Sequence, residues 1–88
     1  MTRKILHLTL HRQWFAAIAA ETKTEEYRAA TPYWQTRLEG KAFDEVHFRN
    51  GYSPDRPFMR VACEQIEFRP EKGIFIIHLG KILDLKNY

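Results

Sequence analysis

Apolar and polar residues alternate strictly near the start of the chain, where His7 and Thr9 separate Leu6, Leu8 and Leu10, the two-residue period of a half-buried strand. The period then lengthens. Trp14, Ala17 and Ile18 recur at helical spacing, which predicts a helix from about His11 to Ala20 burying those side chains along one stripe. From Lys23 to Arg28 the strand parity returns, and Thr24, Glu26 and Arg28 share a face. Thr31-Pro32 is a helix start, with threonine as N-cap and proline at the first helical position, and Gly40 is the matching stop. The short second helix between them carries Tyr33, Trp34, Arg37 and Leu38.

The second half reads as β-structure. Val46 and Phe48 alternate with Glu45, His47 and Arg49, and Asn50-Gly51 and Ser53-Pro54 mark a turn region. Phe58 to Phe68 is one long strand whose apolar parity slips, because Met59, Val61 and Cys63 are odd while Ile66 and Phe68 are even. Such a slip predicts a bulge near Glu64-Gln65, where the strand bends around a small barrel. Pro70-Glu71-Lys72-Gly73 is a tight reversal, and Ile74 to Ile77, apolar on both parities, is a central covered strand. Gly80 breaks the run before a final strand, Lys81 to Leu85. Five or six short strands with one early helix and a second short one make an α+β chain, a small mixed barrel.

At 88 residues the chain is a single domain, residues 1–88, and a hydrophobic content of 44% supports a compact core. A net charge of +3 permits a nucleic-acid partner without demanding one. Cys63 is the sole cysteine and alternates with Met59 and Val61, so it reads as a reduced core thiol in a cytoplasmic protein. No stretch is long and apolar enough for a membrane span, and His7 and Thr9 interrupt any signal-peptide core. His7, His11, His47 and His78 have no paired metal spacing, and there is no phosphate loop or serine elbow. Neither a metal nor a cofactor is expected.

The densest chemistry lies in Glu21 to Arg28, where Lys23, Glu26 and Arg28 follow the first helix at spacings of three and two. Glu26 and Arg28 project together by parity, and Lys23 sits where helix gives way to strand. A second basic group, Arg49, Arg56 and Arg60, surrounds a polar turn with Asn50 and Tyr52. If the two segments fold together they form a cleft with cationic donors, a carboxylate, an amide and an aromatic face. Guanidinium groups bind phosphates bidentately, and the bases of single-stranded RNA are accessible to such a pocket.

The run Ile18-Ala19-Ala20-Glu21-Thr22-Lys23-Thr24-Glu25-Glu26-Tyr27-Arg28 resembles the G-x-K-x-x-E-x-R signature of the ASCH domain, the activating-signal-cointegrator homology module of the PUA-like superfamily. The likeness runs nearly end to end. Met1 to Leu10 resembles the family's opening strand, Phe48-Arg49-Asn50-Gly51-Tyr52 the F-R-N-G-Y corner of its short bacterial and phage members, and Ile77 to Leu83 its closing strands. One position departs: Glu21 stands where the family has glycine, which disfavours a left-handed turn there because glutamate is penalised at positive φ.

The resemblance implies a PUA-like barrel that binds RNA or a nucleotide-like ligand in a cleft lined by Lys23, Glu26, Arg28, Arg49, Asn50 and Tyr52. Lys23, Arg28 and Arg49 would contact phosphate or a polarised carbonyl, Glu26 and Asn50 polar edges, and Tyr52 a ring face. The alternative is a small hydrolase, since some ASCH-like proteins are similar to ribonucleases and others to amidohydrolases of N-acylated cytidine. In the amidohydrolases a threonine nucleophile follows the motif lysine by three positions, and a longer connection supplies a carboxylate. Here Glu26 occupies that position and Pro70-Glu71-Lys72-Gly73 replaces the connection. An enzyme on this chain would use Glu26 as general base and Lys23 to stabilise an oxyanion. An accessory module with a vestigial cleft is the third reading.

Overall fold

A computed structural model describes residues 3–51 and 55–88. The elements are β1 (Ile5–Leu10), α1 (Arg12–Ala19), β2 (Glu25–Ala29), α2 (Pro32–Leu38), β3 (Glu45–Asn50), β4 (Phe58–Arg69) and β5 (Ile74–Lys86). The strands form one sheet in the order β1-β3-β4-β5-β2, with β1 parallel to β3 and the remaining neighbours antiparallel. The α+β class expected from patterning is observed, as two helices and a five-stranded sheet curled into a half-barrel.

The curl has a local cause. Pairing of β4 with β5 slips in register at three places between Arg60 and Gln65, and such irregularities bend a strand and sharpen its twist. The parity slip in the sequence marked the last of them. Gly80 does not end a strand, as its position in the pattern implied; β5 runs through it. A Cβ there would meet Glu64 Cγ at 3.0 Å, so the glycine makes room for the side chain crossing the bent ladder.

The register places the core on one face. Leu6 and Leu8 of β1 lie opposite Val46 and Phe48 of β3, which lie opposite Val61 and Met59 of β4. Phe15 and Ile18 from α1 close this face, and Leu38 from α2 joins the same core. Trp14 is not part of it. The sequence stripe put Trp14 inside, but it is 45% exposed while Phe15 is fully buried. Adjacent helical residues point about 100° apart, so only one of the two rings faces the sheet.

The other face of β3 carries a polar knot. Glu45 Oε1 accepts from Arg60 Nε at 2.9 Å and lies 3.0 Å from His47 Nε2, while Oε2 is held by Arg3 and by Arg60 Nη2 at 3.3 Å. These donors, Arg60 foremost and then His47, pull the Glu45 carboxyl down to about 2 from its ordinary value of 4.5. A carboxylate whose folded pKa is depressed stabilises the fold above its unfolded pKa, and that stability is lost as pH falls. Unfolding monitored against pH should therefore show stability falling between about 4.5 and 2, and Glu45→Gln should flatten that slope.

Among the described residues no helix is long and apolar enough to cross a membrane.

Candidate functional site

The end of α1 sets the site. Glu21 adopts φ 61° despite the penalty for a non-glycine residue, its N–H donates to Ile18 O at 2.9 Å, and the Thr22 N–H donates to Ala17 O at 3.0 Å. This pair of bonds is a Schellman motif, which closes a helix with one left-handed residue. Thr22 Oγ1 and the Lys23 N–H also donate to Ala17 O. The chain is thereby reversed at a fixed angle, and Lys23 is delivered beside β2. Glycine at this position removes the steric penalty but loosens the unfolded chain. Glu21→Gly should raise stability by about 0.5–1 kcal/mol, readable as a rise in the urea midpoint at constant slope.

β2 is an edge strand that, among the described residues, pairs with β5 alone, in a register that sets Glu26 opposite Ile77 and Arg28 opposite Phe75. Both charged residues therefore occupy the parity that faces the core elsewhere in the sheet. They do so where that concave face opens. Glu26 is 7% exposed, its Oε2 accepts from Arg28 Nη2 at 2.8 Å and its Oε1 lies 3.5 Å from Lys23 Nζ. The pairing of Glu26 with Arg28 follows the shared parity of the sequence.

Aromatic rings flank both cations. Lys23 Nζ lies 5.2 Å from the Trp14 ring centroid and 5.0 Å from that of Tyr27, and Arg28 Cζ lies 5.1 Å from that of Trp34 on α2. These are cation–π distances, and the rings help to fix the two side chains. Among the described residues, Arg28 Nε is buried without a hydrogen-bond partner, and Lys23 has more donors than its one carboxylate contact uses.

Across from β2, Asn50 ends β3 opposite Leu10 of β1. Asn50, Lys23, Glu26 and Arg28 line one cleft of about 740 Å³, with Trp14 and Arg12 of α1 on its wall. Counting Arg12, Lys23 and Arg28 against Glu26, the cleft is cationic. It offers guanidinium and ammonium donors for an anion, an amide and a carboxylate for polar edges, and indole and phenol rings for a flat face.

Arg49 is not brought into this cleft. The sequence pattern starts a turn at Asn50 and groups Arg49 with it at one cleft, but β3 continues through Asn50, so Arg49 and Asn50 point to opposite faces. Arg49 lies on the convex face, Nη1 at 3.3 Å from His7 Nδ1 and Cζ at 4.9 Å from the Phe58 ring centroid. Arg60 is on that face too, engaged by Glu45. Tyr52, expected to supply a ring, lies outside the described residues. The rings found at the site are Trp14 and Tyr27, which sequence reasoning missed; the signal for Trp14 was its place immediately before Phe15 on one helix. Among the described residues no group of three or more His, Cys, Asp or Glu side chains is arranged to hold a metal ion. Comparison with protein-family models, with curated proteins and with solved structures finds no match to this chain.

Proposed function

We propose that the chain is a PUA-like module of the ASCH type whose cleft binds single-stranded RNA or a nucleotide-like ligand. The observation that carries this reading is the buried Glu26 carboxylate shared by Lys23 and Arg28 at one wall of a cationic, aromatic-flanked cleft. The K-x-x-E-x-R spacing that resembles the ASCH signature is the spacing of these same side chains. A binder needs fixed charges, and Glu26 fixes two.

The hydrolase reading fits less well. A general base must reach the substrate proton, whereas the Glu26 carboxylate is buried and each of its oxygens is in contact with a cation.

RNA binding should weaken with salt, because neutralised phosphates release counterions. With Arg12, Lys23 and Arg28 as contacts, the log–log slope should be about −2 for a strand short enough to occupy the cleft alone. Lys23→Arg keeps the cation but removes the compact amine, so binding should change little. Titration of a labelled single-stranded RNA at two salt concentrations measures both. Incubation with RNA and with N-acetylated cytidine should give neither cleavage nor deacetylation; turnover that Lys23→Arg abolishes would transfer the site to the hydrolase class.

A further inference from the structure

We infer that Arg49 and Phe58 form a second nucleotide subsite on the convex face, reached from the cleft past Asn50 and Asn87, so that the ligand is a strand rather than a free nucleotide. This rests on the RNA-binding reading of the cleft and extends it.

The depressions adjoin one another. One of about 590 Å³ shares Arg12 and Asn50 with the main cleft, and it shares Asn87 with a third of about 250 Å³ lined by Arg49, Arg56, Phe58 and Lys86. Because Asn50 and Arg49 are neighbours on one strand, the crossing from face to face occurs at a single residue step.

The charge at the far end is available. Arg3 and Arg60 are taken up by Glu45, and Lys86 lies 3.6 Å from Asp84. Arg49 differs: among the described residues its polar contact is the His7 imidazole, and no carboxylate pairs with it. A guanidinium has no acceptor, so His7 Nδ1 accepts, which requires the ring to be unprotonated there. Burial, then the charges of Arg49 and His47, hold His7 below its ordinary pKa, in keeping with that state. Arg49 is thus oriented by an imidazole and an aromatic ring while its charge stays uncompensated. A phosphate is the natural complement, and the Phe58 ring beside it offers a base a stacking face. A free nucleotide has no means of spanning both subsites; a strand of several nucleotides does.

The test compares a single-stranded RNA of about ten nucleotides with a dinucleotide, each titrated at two salt concentrations. Arg49→Gln should weaken the longer RNA about tenfold at low salt and make its slope shallower by about 0.7, while leaving the dinucleotide unaffected. Arg49→Lys should keep the slope, which separates loss of charge from loss of structure. Equal binding of the longer RNA by Arg49→Gln and the parent overturns the second subsite, and the cleft reading survives if Lys23→Ala still weakens both ligands. Equal loss of both ligands in Arg49→Gln also overturns it. A parent protein that binds neither RNA overturns the cleft reading itself.

Discussion

Phe48→Ala should destabilise the protein by about 3–5 kcal/mol. Phe48 is fully buried at the centre of β3, opposite Leu8 on one side and Met59 on the other. Those strands are pinned by their own ladders, so the void left by the ring has little room to collapse. Domains of this size are stable by about 5–15 kcal/mol in total, and each lost kcal/mol lowers the melting temperature by roughly 4–8 °C. Thermal unfolding should therefore show a drop of more than about 12 °C. Phe68→Ala is the contrast. That ring is 42% exposed and stacks on Phe75 at 4.9 Å, so its removal should cost much less. Similar melting temperatures for parent and Phe48→Ala would mean that the core is not where the register puts it.

Arg28→Ala should give the largest loss of RNA affinity. A hydrogen bond to a charged group contributes about 1.5–3 kcal/mol, so removing a guanidinium that contacts phosphate should weaken binding by about 10–100-fold. The substitution also takes the closer cation from Glu26, leaving the buried carboxylate with Lys23 at 3.5 Å. Stability should fall as well, and fluorescence anisotropy must be read beside a melting curve. If Arg28→Ala is folded and binds RNA as the parent does, Arg28 is a structural partner of Glu26 and Trp34 alone.

Much of this arrangement was legible in the chain. The period of two in Leu6, Leu8 and Leu10 gave β1, and the parity of Glu26 and Arg28 gave their shared face. The slip between Cys63 and Ile66 marked the last of the three irregularities that curl the sheet. These signals are local, and local sterics decide them.

What was not legible depends on long-range pairing. Whether Asn50 belongs to a turn or to the end of a strand is decided by its partner Leu10, forty residues away in the chain, and that one step sends Arg49 to the other face. Likewise Trp14 and Phe15 compete for the same interior, and the sheet beneath the helix chooses Phe15. Glu21 shows the reverse: the cost of a left-handed glutamate is local, and the helix end with its two closing bonds outweighs it.

Backbone and indole chemical shifts followed during titration with a short single-stranded RNA report directly on whether the cleft is the binding site. Binding there should move the amides of Lys23, Glu26, Arg28 and Asn50 and the indole N–H of Trp14 most, with the buried amides of β4 nearly still. Shifts that leave these five residues unmoved, or no shifts at low salt, would contradict the assignment of this cleft to RNA.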